Sequence, residues 1–244
     1  MGSISEGKTI LAHYMTPERL ALLHKNIEQR TRRIAVILED IHKPQNASAI
    51  LRTCDCMGIQ DVHLAENKHQ YSPNKRIVRG ADKWLTIHAY NAGESSTKDA
   101  ISHLQSTGYR VLAACPHKTA YSIEDVDVEA SKIALLFGTE REGISVDARR
   151  YADGFVSVPM YGFSESYNVS VTVALALQSL RRKLEASAIP WRLADAEKEQ
   201  LLFDWYKKSV RSADELLRYH RANPLPTGQE PIRQTHNNKI SLHA

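Results

Sequence analysis

Two uninterrupted apolar runs, Ile34 to Leu38 (IAVIL) and Lys132 to Phe137 (KIALLF), limit this chain more than any other feature. Each is short, rich in aliphatic residues, and followed by a polar residue or a glycine. Such a strand has no solvent face, so it belongs inside a sheet covered on both sides, as parallel sheets are. Shorter strands are predicted at Asp61 to Leu64, Leu85 to Ala89, Arg110 to Ala114 and Gly154 to Val158. Helical segments fall between them: Ala47 to Met57, with Asn46 as N-cap and Gly58 as stop, Ser96 to Ser106 before Gly108, and a brief helix from Ser145 to Tyr151. Strand and helix alternate, which predicts an α/β fold: a parallel sheet with helices on both faces.

The ends read differently. Residues 1–15 give no defined element, and Thr16-Pro17-Glu18 opens a helix through Leu20, Leu23 and Ile27. After Val158 comes a polar turn around Gly162, then a helix to about Ala186 capped by Asn168 or Ser166. Val169 to Val173 alternate with period two, like a strand. The strong helix formers from Ala174 on, and the stripe Val169, Val173, Ala176, Leu180, favour helix. Two further helices are predicted, Ala194 to Lys208 and Ser212 to Arg221, before a Pro- and polar-rich tail expected to be disordered. The expected division is an N-terminal helical extension (1–30), a central domain (31–186) and a C-terminal extension with its tail (187–244).

Composition excludes more than it selects. From Arg181 onward there are twelve Lys/Arg against eight Asp/Glu, a surplus equal to the whole net charge of +4. That suits either phosphate contact or a solvated surface. Three cysteines, Cys54, Cys56 and Cys115, make no disulfide framework in 244 residues and are expected as reduced thiols in the cytoplasm. The eleven histidines are scattered without ligand spacing, so no metal is expected. No signal segment is expected at the start. Glu6 breaks the myristoylation pattern, and no apolar run is long enough to span a bilayer, so no membrane partner is expected. Neither GxGxxG after a strand nor GxxxxGK[ST] occurs.

Three loops after strands stand out: Glu39 to Arg52, Gly138 to Gly143 and Pro159 to Asn168. Singly, Arg52 reads as a surface helix charge, Gly138-Thr139-Glu140 as a strand end, and Ser164, Ser166 and Asn168 as capping residues. Jointly they mark a site, because ligands of parallel α/β sheets sit beyond the carboxyl ends of the strands.

These stretches resemble the three motifs of the SpoU/TrmH branch of the SPOUT RNA ribose methyltransferases. Asn46 to Thr53 (NASAILRT) is similar to motif 1, Gly138 to Gly143 (GTEREG) to motif 2, and Pro159 to Gly162 followed by Ser166 to Ser170 (PMYG, SYNVS) to motif 3. The likeness covers roughly residues 17–185, and Tyr167 stands where the family usually has Leu. The resemblance implies a C-terminal deep trefoil knot, bound S-adenosylmethionine, an obligate homodimer, and 2′-O-methylation of RNA. The expected target is the D-loop guanosine of tRNA. The alternatives are ribosomal RNA, another tRNA ribose, or a non-catalytic RNA chaperone. DNA is not an expected partner.

The resemblance also assigns roles. Arg52 would stabilise the developing alkoxide and grip the adjacent phosphate, since a guanidinium offers a fixed fork of donors and is a poor proton acceptor. Asn46 would orient Arg52 or the substrate, and Glu140, Ser166 and Asn168 would shape the site. Ala114, Leu136, Gly138, Val158, Met160 and Tyr167 would hold the cofactor. Arg30, Arg32, Arg33, Lys75, Arg76, Arg79, Arg181 and Arg182 are candidate phosphate contacts. Trp191, Trp205 and Tyr206 are candidates to stack on bases.

Overall fold

The structure is a computed structural model that describes residues 3–41, 43–68, 75–93, 95–116, 120–139 and 142–224. Its strands are β1 (Thr31–Glu39), β2 (Ile59–Ala65), β3 (Thr86–Tyr90), β4 (Tyr109–Ala114), β5 (Tyr121–Ser122), β6 (Lys132–Phe137) and β7 (Gly154–Ser157). Its helices are α1 (Ile4–Ala12), α2 (Pro17–Ile27), α3 (Pro44–Cys56), α4 (Lys75–Val78), α5 (Ser96–Ser106), α6 (Val146–Tyr151), α7 (Val169–Ala186), α8 (Asp195–Ser209) and α9 (Ala213–Ala222). The chain forms two compact units: residues 30–192, and a second built from both ends, up to Gln29 and from Leu193 onward. Tail residues from 225 on lie outside the described residues.

In the larger unit all strand pairs are parallel, in the order β3-β2-β1-β6-β4-β7-β5. Period two sorts each strand between two cores. Ile34, Val36 and Leu38 join α3 and α7 on one face, while Ala35 and Ile37 join α5 on the other. β6 does the same, with Leu135 and Phe137 on the first face and Ala134 and Leu136 on the second. Both faces are therefore covered, as the continuous apolar runs require.

The structure corrects one local expectation. α3 begins at Pro44, so Asn46 lies inside the first turn instead of capping it. Proline at the first helical position, with its fixed φ and missing N–H, moved the start forward. A two-residue strand, β5, sits in the connector between β4 and β6, where the sequence predicts no element. As expected against the period-two pattern, α7 is helical from Val169, and of the two candidate caps Asn168 is the N-cap, accepting from the Ser170 N–H at 2.9 Å.

The smaller unit is helical. α1, absent from the sequence reading, is capped by Ser3 and packs with α8 and α9. Gly7 allows that approach, since a Cβ there would come within 2.7 Å of the Phe203 ring. The Tyr14 hydroxyl meets His220 Nε2 at 2.6 Å, and the Tyr206 hydroxyl meets His24 Nε2 at 2.8 Å. Trp205 and Tyr206 are core residues, 1% and 3% exposed, and so is Trp191 in the larger unit. None of the three presents a ring to bases, because burial of their large apolar surface stabilises the fold more than a solvated position does.

Away from the conspicuous loops, His63 on β2 stacks on His88 of β3 at 4.4 Å between ring centroids. Its Nδ1 meets the Tyr90 hydroxyl at 3.0 Å, and His103 of α5 lies near both rings. Burial, then the neighbouring His88, push the His63 imidazole down to about 3, against the pull of Asp61. A depressed folded-state value means that the unfolded chain takes up the proton first. The stability is therefore complete above the unfolded value near 6.5 and declines as pH falls toward the folded one. Burial works against the Asp61 carboxylate, but the His88 hydrogen bond and Arg32 hold it below its usual value, so its contribution is lost only in stronger acid. We expect the protein to lose about 1 kcal/mol between pH 7 and 5.5 through His63. Thermal melts across that range check it, and a His63→Gln variant should show a flatter profile; equal slopes would refute the assignment.

Candidate active site

The loops leaving the carboxyl ends of β4, β6 and β7 enclose a cavity of about 380 Å³. Ala114, Gly138, Val158, Met160, Ser166 and Tyr167, singled out from sequence, line it. Leu136 does not. Its side chain is fully buried in the opposite core, and the next residue of the alternating strand, Phe137, is on the wall instead. Sequence reading also missed Ile123, which arrives in a 3-10 turn (Ile123–Asp125) with no sequence signature, and Arg149 of α6.

The motif 2 loop is closed by backbone. Thr139 and Gly143 exchange N–H···O bonds of 3.0 Å in both directions, and the Glu142 N–H donates to Thr139 Oγ1 at 3.0 Å. Gly143 has φ +69°, a conformation that costs little only for glycine. Gly138 is required for space: a Cβ there would lie 2.1 Å from the Gly143 carbonyl oxygen. Glu140 lies outside the described residues.

Beneath this loop Glu39, 2% exposed at the end of β1, accepts three hydrogen bonds. They come from Thr97 Oγ1 at 2.6 Å, Ser145 Oγ at 2.6 Å and the Ser145 N–H at 2.9 Å. Ser145 is the N-cap of α6, so one buried carboxylate fixes where the motif 2 loop ends and α6 begins. Asp40, at φ +50°, accepts from the Asn67 and Lys68 N–H groups at 2.8 Å each.

Motifs 1 and 3 meet directly. Asn168 Nδ2 donates to Asn46 Oδ1 at 3.3 Å, while Asn168 Oδ1 caps α7 through Ser170. Because Asn46 is not itself a cap, its side chain is available for this bond. α7 and α3 pack on the same face of the sheet, which brings Arg52 onto the same helix pair. The Arg52 side chain is exposed and makes no hydrogen bond or ion pair among the described residues. The Tyr167 hydroxyl, which a leucine would lack, donates to the Pro159 carbonyl at 3.4 Å across the motif 3 turn.

The basic candidates divide. Arg30, 4% exposed, pairs with Asp55. Arg33 donates to the carbonyls of Val128, Glu129 and Ser131. Arg181, 7% exposed, pairs with Glu185 at 2.9 Å and lies over Trp191 at 4.1 Å. Arg32 is half-buried and pairs with Asp61 at 2.9 Å. These four serve the fold, since burying a guanidinium requires carboxylate, carbonyl or aromatic partners. Arg76, Arg79 and Arg182 are exposed. The Lys75 side chain lies outside the described residues. Among those residues the three cysteines are free, no acidic, histidine or cysteine cluster suits a metal, and no helix is long and apolar enough to cross a membrane.

A covered parallel sheet with a cavity at its carboxyl edge, walled by glycine-bearing loops, defines a ligand-binding α/β protein. Comparison makes it specific. Residues 33–178 match the SpoU rRNA Methylase family, and the chain belongs to that family. It is 36% identical to the tRNA (guanosine(18)-2′-O)-methyltransferase of Borreliella burgdorferi, over 83% of this chain and 91% of that one. It is 30% identical to the Escherichia coli K12 protein of the same name, over 78% and 82%. Among solved structures, the A. aeolicus TrmH/SpoU tRNA modifying enzyme superposes with a TM-score of 0.70 at 27% identity, covering 80% of this chain and 98% of that one.

The chain is therefore a methyltransferase, with S-adenosylmethionine as methyl donor. The cavity fits that molecule. Its volume lies within the range of about 300–1,000 Å³ usual for such ligands. Ile123, Phe137, Val156 and Ala176 give an apolar interior, and Glu142 and Glu165 add carboxylates suited to a cationic ligand.

Proposed function

We propose that this protein methylates the ribose 2′-hydroxyl of guanosine 18 in the D-loop of tRNA. The observation that carries the reading is the Asn46–Asn168 contact, which brings motif 1, with Arg52, against the motif 3 turn on the cavity wall. The relatives named for that reaction, at 30–36% identity over about four fifths of the chain, support the tRNA target.

When bound, S-adenosylmethionine supplies an electrophilic methyl on a sulfonium. The residues of this chain then have to position a weak nucleophile in line and stabilise its developing charge. Arg52 clamps the neighbouring phosphate and donates toward the 2′-oxygen. Asn46 and Asn168 fix that edge of the site, Ser166 and Glu140 shape it, and Gly138, Val158, Met160 and Tyr167 hold the donor. DNA, lacking the 2′-hydroxyl, offers no acceptor. Arg76, Arg79 and Arg182 contact phosphates, residues 31–186 carry the chemistry, and the terminal segments assist RNA binding in the cytoplasm.

The same reading includes a trefoil knot and a homodimer. The strand order β1-β6-β4-β7, followed by α7 returning to α3, supports a threaded carboxyl-terminal segment. Exposed Tyr161, Phe163, Val171 and Leu175 along the motif 3 turn and α7 supply an apolar surface for a second copy, which would complete the site with its own Arg52 or receive this one. The family description favours one second reading, ribosomal RNA as substrate.

Labelled methyl transfer to unmodified tRNA and to ribosomal RNA, with the product ribose mapped, separates these readings. Label at guanosine 18 is expected; label in ribosomal RNA alone would refute the tRNA target. RNA binding with no methyl transfer to either would leave only the chaperone. Light scattering of the purified protein should give twice the chain mass of 27.5 kDa.

A further inference from the structure

Arg149 is the only Lys or Arg among the described residues lining the cavity. It is exposed, so it stands at the mouth, while the apolar interior of Phe137 and Val156, each 2% exposed, lies behind it. Its helix cannot drift: the Arg149 N–H donates to the Ser145 carbonyl at 3.1 Å, and Ser145 is held by buried Glu39. The two carboxylates on the wall differ, since Glu142 pairs with Lys68 at 2.9 Å whereas Glu165 belongs to the motif 3 turn.

We infer that Arg149 binds the α-carboxylate of the donor's amino-acid tail. This rests on the reading of the cavity as the S-adenosylmethionine site. That molecule has a flat aromatic purine whose faces suit the apolar closed end, a sulfonium and an ammonium that suit acids, and one anionic group. Charge matching places the anionic group at the cation on the rim, where a guanidinium fork fits a carboxylate. Arg149 thereby selects ligands bearing an amino-acid carboxylate, and it acts equally on the methylated donor and on the demethylated product, S-adenosylhomocysteine, which share that group.

Calorimetry with three ligands tests this without any turnover: S-adenosylmethionine, S-adenosylhomocysteine and decarboxylated S-adenosylmethionine. The expected result is that Arg149→Ala weakens the first two by roughly tenfold and leaves the decarboxylated ligand unchanged. Arg149→Lys should retain part of the preference. A melting temperature equal to wild type confirms that folding is intact. Equal loss for all three ligands, or none, would overturn the inference. Weaker tRNA binding with unchanged donor affinity would overturn it too, in favour of a phosphate contact. If the wild-type protein binds none of the three, the donor site itself is misassigned; if it binds them and Arg149→Ala does so identically, only this inference fails.

Discussion

Arg52→Ala is expected to lower methyl transfer by at least a hundredfold while S-adenosylmethionine binds as before. Removing a single donor aimed at a developing oxyanion typically costs about 3–4 kcal/mol of transition-state stabilisation. Arg52 suits that test because it is exposed on α3 and unpartnered among the described residues, so its loss disturbs no internal contact. The fold and the cavity, which Arg52 does not line, should remain. Single-turnover transfer to tRNA, beside calorimetry of the donor, separates chemistry from binding. Arg52→Lys should recover only a fraction, since an ammonium is a point charge and cannot grip phosphate and alkoxide with one fork. A wild-type rate in Arg52→Ala would sink the proposed chemistry.

Gly138→Ala should act on the other half of the reaction. The new methyl would lie 2.1 Å from the Gly143 oxygen, 2.5 Å from its carbonyl carbon and 2.7 Å from the Ile144 nitrogen. All three are backbone atoms, so no side chain can swing away. Relief requires the Thr139–Gly143 pair to open, and that pair forms the cavity wall. We expect donor affinity to fall by more than tenfold and stability by about 1–3 kcal/mol, the usual cost of overpacking. Gly162→Ala is the control: nothing lies within 4 Å of its added carbon, and binding should be near wild type. Unchanged donor affinity in Gly138→Ala would remove motif 2 from the site.

Much of this was legible in the chain, for identifiable reasons. Strands buried on both faces announce themselves as continuous apolar runs, so β1 and β6 were placed within a few residues. The site loops were found because glycine, proline and amide residues follow strands at spacings matching known motifs. Some of what failed depended on long-range packing. α1 was invisible because Gly7 lowers helix propensity, and its reason for being there is Phe203, far along the chain. Arg30 and Arg181 read as phosphate contacts, because nothing in the sequence marks Asp55 and Glu185 as their partners. Arg149 carried no motif, and only the folded loop shows it at the cavity mouth.

The order of strands has a consequence for how the molecule is made. β1 and β4 are separated in the sheet by β6, so the central slot stays empty until residues 132–137 have been synthesised. A nascent chain can pair β1, β2 and β3 early, but it then presents one edge of β1, among its most apolar strands, with its neighbour still inside the ribosome. Filling that slot joins residues about a hundred positions apart, which makes assembly slow. During this interval the growing chain is most exposed to aggregation.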